Sequence, residues 1–110
     1  MNYSIETTET FRKEAKKLVK KYPSLKSELV ELNNKLEQNP FIGKHLGSDV
    51  YKIRLSIASK GKGKSGGARI LTQIKVINKK VFLFSIYNKG EIDNLSDAEI
   101  KELIKEIESE

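Results

Sequence analysis

The chain contains no cysteine. That excludes a disulfide framework, a cysteine nucleophile and a thiolate metal site, and it fits a reducing compartment. Histidine is nearly absent: His45 stands alone, so two histidines cannot share acid and base work within one chain. A lone loop histidine beside Lys44 reads more simply as a surface residue than as a catalyst. Only two prolines occur, Pro23 and Pro40, and both fall between periodic segments. No apolar run approaches the roughly 20 residues that a membrane-spanning helix needs. The longest, Val81 to Ile86, is strand-sized and contains Ser85. The first residues turn acidic at Glu6 and Glu9, where a secretory signal would be basic and then apolar. A cytoplasmic protein without membrane partners is expected. The 110 residues fit a single domain spanning 1–110 with one modest core.

Positive charge is plentiful and uneven. The formal net charge is +6. Residues 44–80 hold ten Lys/Arg against one acid, Asp49, whereas residues 91–110 hold two Lys against eight acids. A basic middle of this kind attracts polyanions through counterion release and long-range steering. The plainer reading is a solvated surface, but concentration in one segment favours nucleic acid. Lys60, Lys62, Lys64 and Lys75 are candidate RNA contacts on that ground.

Periodicity supplies the elements. Tyr3 and Ile5 alternate with polar neighbours as a short strand over 2–7. Thr8 or Thr10 offers a helix N-cap, after which Phe11, Ala15, Leu18, Val19 and Tyr22 recur at helical spacing. Pro23 stops that helix. Ser24 can cap the next, striped by Leu25, Leu29, Leu32 and Leu36. Residues 41–49 read as a loop. From Val50 the period becomes two, with Tyr51, Ile53, Leu55 and Ile57 on one face and Lys52, Arg54 and Ser56 on the other. A segment without apolar residues follows, from Ser59 to Gly67. Alternation resumes with Ile70, Thr72, Ile74 and Val76 against Arg69, Leu71, Gln73 and Lys75. Asn78 to Lys80 form a turn, and Val81 to Tyr87 read as a central strand. Ser96 and Glu99 form a capping box for a last helix striped by Ile100, Leu103, Ile104 and Ile107. The expected class is α+β, in the order β-α-α-β-β-β-α. Three antiparallel strands follow a helical hairpin packed on one face. The acidic last helix is expected on the sheet edge or the hairpin.

The chemistry-bearing pattern is positional. Lys52 and Arg54 share one face of one strand; Arg69 opens the next, and Lys75 has its parity. Four cations on the face away from the hairpin would seat a phosphodiester. Crowded like charges lower a lysine pKa, which suits proton transfer. Arginine stays charged and suits a phosphorane. Tyr51 shares parity with core residues. Tyr87, beside Asn88 and Lys89, fits either ring stacking on a base or packing at the strand edge. Ala58-x-x-x-x-Gly63-Lys64-Ser65 loosely matches a phosphate-binding loop, but that loop needs a following helix N-terminus and here a strand is expected. No His and Asp/Glu cluster suggests a metal.

These residues carry a resemblance. Tyr51-Lys52-Ile53-Arg54-Leu55 resembles the strand of RelE-type toxins that bears basic cleavage residues. The run from Ala58 to Ile70 closely resembles the glycine–lysine loop of the HigB-like branch. Phe84 to Glu91 is similar to its last strand and exit. The likeness covers about residues 3 to 105 and implies a RelE/ParE-like fold. It also implies a type II toxin that cleaves mRNA on the ribosome without metal or cofactor, by attack of the RNA 2′-hydroxyl on the adjacent phosphate. A proteic antitoxin, carrying a helix-turn-helix, would block it, and operator DNA would be touched only through that complex. By position, Lys52, Arg54 and Arg69 take the catalytic places, with Lys89 as the basic residue after the last strand. Leu71 and Thr72 stand where many HigB-like chains have tyrosines. Leu95 and Ser96 occupy the region of the RelE tyrosine, which leaves the general base open, with Tyr87 as the candidate substitute. A ParE-like inhibitor of DNA gyrase is the alternative, against which Lys52-Ile53-Arg54 counts. A non-catalytic RNA-binding module is a third reading.

Overall fold

Thr8 starts the first helix: its Oγ1 accepts a hydrogen bond from the Phe11 amide at 3.2 Å. The structure, a computed structural model, describes residues 2–60 and 66–108. Helix α1 (Glu9–Lys21) ends before Pro23, and α2 (Leu25–Gln38) ends before Pro40. Ser24 precedes α2 but its hydroxyl does not cap it. It bonds Glu28 and Ser59 instead, tying α2 to the connection after the third strand. Leu25, Leu32 and Leu36 are buried with Phe11 against the sheet, as the two stripes required.

Five strands form one sheet: β1 (Ser4–Thr7), β2 (Lys44–Gly47), β3 (Val50–Leu55), β4 (Ala68–Lys75) and β5 (Lys80–Asn88). Their order is β1-β5-β4-β3-β2. β3, β4 and β5 form the expected antiparallel meander, and β1 adds to β5 in parallel. Residues 44–47, read as loop, instead form the edge strand β2 antiparallel to β3. The Ser48-Asp49 turn between them has positive φ at both residues, 52° and 61°. A two-residue hairpin requires that backbone, but it usually announces itself with Asn-Gly or Asp-Gly. β4 stops at Lys75, so Val76 leaves the inward face assigned to it and is 56% exposed in the next turn.

The last helix, α3 (Asp97–Glu108), begins with the expected reciprocal bonds between Ser96 and Glu99. Its position differs from expectation. It covers the sheet face opposite the hairpin, where Ile107 packs with Val50, Leu71 and Phe84 in a second core. The cause lies in β5, which is apolar on both faces and therefore needs cover on both. Ile104 is half-buried in this layer.

Candidate functional site

Pairing of β3 with β4 places Arg54 opposite Arg69 and Lys52 opposite Leu71. Directly opposed residues share a sheet face, so Lys52, Arg54 and Arg69 converge on one side. Their neighbours Ile53 and Ile70 are buried on the other side with the hairpin. β2 brings Lys44 opposite Lys52, and Lys89 follows directly on β5. Glycines hold β3 in place. A Cβ at Gly43 would strike the Lys52 carbonyl, and one at Gly67 the Leu55 carbonyl, so only glycine admits both close approaches.

Burial holds the Lys52 ammonium below its ordinary pKa, helped by the positive charges of Lys44, Arg54, Arg69 and Lys89. Like-charge crowding was the sequence argument; desolvation is the larger cause. Lys52 Nζ donates to Asn94 Oδ1 at 3.2 Å. Lys89 Nζ donates to the Asp93 carbonyl at 2.9 Å and pairs with its carboxylate. The Lys89 hydrogen bond and charge, with Lys52 behind them, hold the Asp93 carboxyl below the usual range. Arg69 is 4% exposed, and its guanidinium donates to the Ala68 carbonyl at 3.2 Å. Arg54 is exposed. This set can bind a phosphodiester and offers one amine, Lys52, biased towards proton exchange.

Other candidates are placed elsewhere. Lys75 has the right face but stands opposite Lys80 at the far end of β4. Six residues separate it from Arg69, about 20 Å along a strand. Lys60 is engaged internally: its ammonium bonds the buried Asn88 side chain and lies 5.6 Å from the centre of the Tyr22 ring. Asn88 also donates to Tyr22 Oη at 3.2 Å and to Glu91 Oε1 at 3.0 Å. Asn88→Ala should therefore cost about 1–3 kcal/mol, because it leaves half-buried polar partners unmatched. Urea unfolding checks this, and a loss under 0.5 kcal/mol would mean that water replaces the amide. Tyr87 is 4% exposed opposite Arg69, and burial raises its phenol pKa. Packing is thus the reading the structure gives for its ring. Tyr51 is half-buried between Phe41 and the exposed His45, whose ring lies 4.9 Å from its own. Lys62 and Lys64 lie outside the described residues, as does most of the loose phosphate-loop match; β4 begins at Ala68. Among the described residues no three His, Asp or Glu side chains gather to hold a metal. Lys44, Asp93 and Asn94 were not found from the sequence. Lys44 fell in an unrecognised strand, and the acidic tail gave no sign that residues 93–94 return to the cations.

A family model described as the RelE toxin of the RelE/RelB toxin–antitoxin system matches residues 4–109. The chain belongs to the RelE toxin family. Solved structures with this fold include Escherichia coli RelE in its free state as a double arginine-to-alanine variant. That structure is 24% identical with a TM-score of 0.65, and the match covers 97% of this chain and 99% of that one. Isolated E. coli RelE is 28% identical, with a TM-score of 0.56 and coverage of 96% and 98%. The toxin–antitoxin complex RelBE2 of Mycobacterium tuberculosis is 20% identical, with a TM-score of 0.60 and coverage of 80% and 99%. In this RelE-family chain, the four positions carried over by resemblance, Lys52, Arg54, Arg69 and Lys89, are gathered with Lys44. No helix among the described residues is long and apolar enough to cross a membrane.

Proposed function

We propose that this chain is the toxin of a toxin–antitoxin pair and a metal-independent endoribonuclease that cuts mRNA on the ribosome. The observation that carries this reading is the convergence of Lys52, Arg54 and Arg69, with Lys44 and Lys89, on the sheet face away from the hairpin. Five cations on one face call for a polyanion. In the reaction, the substrate 2′-oxygen forms a bond to the adjacent phosphorus as the 5′-oxygen leaves. Lys52 in its neutral form takes the 2′-hydroxyl proton. The leaving 5′-oxygen takes a proton from the surrounding ammonium groups. Arg54 and Arg69 face the negative charge that develops on phosphorus. The RelBE2 relative is a toxin held with its antitoxin. By analogy, a cognate helix-turn-helix antitoxin restrains this chain in the cytoplasm and mediates any contact with operator DNA.

The test is induction of the chain alone in bacteria, with mRNA 5′ ends mapped beside a Lys52→Ala/Arg54→Ala/Arg69→Ala variant. Cuts inside translated frames and growth arrest should both vanish in the variant while its circular dichroism is unchanged. Arrest that survives the three changes removes the assignment. Arrest with intact mRNA moves the reading to gyrase.

A further inference from the structure

Lys60 belongs to the basic segment but faces away from the other cations. At the end of β5, Asn88 stands opposite Ala68, and opposed residues share a sheet face. Ala68 is buried on the hairpin side. The Lys60 ammonium bonds the Asn88 side-chain oxygen and lies near the Tyr22 ring. It therefore sits across the sheet from Lys52, Arg54 and Arg69. Its charge has a counterpart there. Bonds from Asn88 and Lys21 hold the Glu91 carboxyl below its usual range, and the Lys60 charge adds to the effect. An ammonium with an amide oxygen, a ring face and an ionised carboxylate around it is well satisfied. From this place it reaches no phosphate on the cation face.

What Lys60 holds is the exit from β5. The Asn88 oxygen bonded to its ammonium also accepts from the Gly90 amide at 3.1 Å. The Asn88 backbone carbonyl accepts from the amides of Glu91 and Ile92, both at 3.0 Å. The segment anchored in this way serves the cation face. It carries Lys89 at its start, and further on Asn94, which accepts from Lys52. The Lys89 amide in turn donates to the Gly67 carbonyl at 3.0 Å. We propose that Lys60 is a positioning residue of the nuclease: by gripping Asn88 from the hairpin side, it fixes the turn that sets Lys89 and Asn94 against Lys52. The inference rests on the nuclease reading, and it takes Lys60 out of the RNA contacts expected from its charge.

Single-turnover cleavage of mRNA on ribosomes, followed over a range of chain concentrations, separates positioning from RNA contact. Lys60→Met should lower the maximal rate about tenfold to hundredfold, the scale of a small misplacement of reacting groups. The half-saturating concentration should stay nearly unchanged. Lys60→Arg, which keeps a charged donor for Asn88, should recover most of the rate. Lys60→Met combined with Asn88→Ala should lose no more than the larger single loss, because residues acting through one contact do not add. Binding of a single-stranded RNA oligonucleotide to Lys60→Met should keep its salt dependence, whereas a lost phosphate contact lowers the slope by about one. If circular dichroism shows the methionine variant unfolded, Lys60→Gln supplies the same comparison. A maximal rate that holds while the half-saturating concentration rises and the salt slope falls overturns the proposal and makes Lys60 an RNA contact. Losses that multiply in the double variant overturn it too. Both results leave the nuclease reading standing. An unaltered chain that cuts no RNA defeats the nuclease reading itself, and the positioning role with it.

Discussion

Lys52→Arg should leave RNA bound and uncut. Arginine keeps the positive charge but does not release a proton in a protein, so phosphate attraction survives and proton transfer does not. The expected loss in cleavage rate is about 10²- to 10⁴-fold, the usual size of one acid–base contribution, with affinity for RNA nearly unchanged. Single-turnover cleavage beside a binding titration separates the two. If Lys52 must be neutral to act, the rate rises with pH until the lowered pKa of Lys52 is passed. After burial, the Lys44 charge is the next cause of that lowering. Lys44→Ala should therefore move the rise to higher pH. The same shift has a stability consequence. The folded chain holds the Lys52 proton less tightly than the unfolded chain does. This residue's contribution thus grows more favourable as pH climbs through its lowered pKa towards 10.5. Lys52→Met removes that dependence, so that the pH profile of stability flattens while cleavage disappears. An arginine variant that cuts at the original rate would show that position 52 supplies charge alone.

The alternation from Val50 to Leu55 made Lys52 and Arg54 legible as a pair, and the same period put Arg69 on the matching side of its strand. Register is a different matter. Parity gave Lys75 the same standing as Arg69, and only the pairing of Arg54 with Arg69 separates them. Lys60 carried the right charge in the right segment, but nothing local announced its contact with Asn88, 28 residues away. Lys44 was hidden because Ser48-Asp49 makes a two-residue hairpin without the usual glycine. The parallel pairing of β1 with β5 joins segments some 76 residues apart and leaves no local trace. The placement of α3 was more nearly readable. A run as apolar as Val81–Tyr87 asks for cover on both faces, and the helix was the one amphipathic element left to provide it.

Phe84→Ala should be the most damaging single truncation near the site. Pairing of β4 with β5 passes from Leu71–Ser85 to Thr72–Leu83, so Phe84 is an extra residue in β5 without an opposite number. Such a bulge re-aims its side chain, and here the ring is fully buried under α3 with Val50, Leu71 and Ile107. Glu14 secures the same irregularity from the hairpin side. Its carboxylate accepts from Ser85 Oγ at 3.2 Å and from the Ile86 amide at 3.1 Å. Burial raises the pKa of Glu14 all the same. Removing the ring should cost about 3–5 kcal/mol, a large part of the roughly 5–15 kcal/mol available to a domain. A fall in Tm of more than about 10 °C follows for a chain of this size. The loss should be directional. Leu36→Ala, on the hairpin side and equally buried, should cost a similar order but leave α3 seated. Phe84→Ala should instead speed hydrogen exchange in α3 and disturb the Lys52–Asn94 contact just before it. Chemical denaturation with amide exchange measures both parts. A cost below 1 kcal/mol, or exchange that quickens equally on both faces, would mean that α3 is held by its capping box and its other contacts. The second core would then not be what ties the helix to the cations.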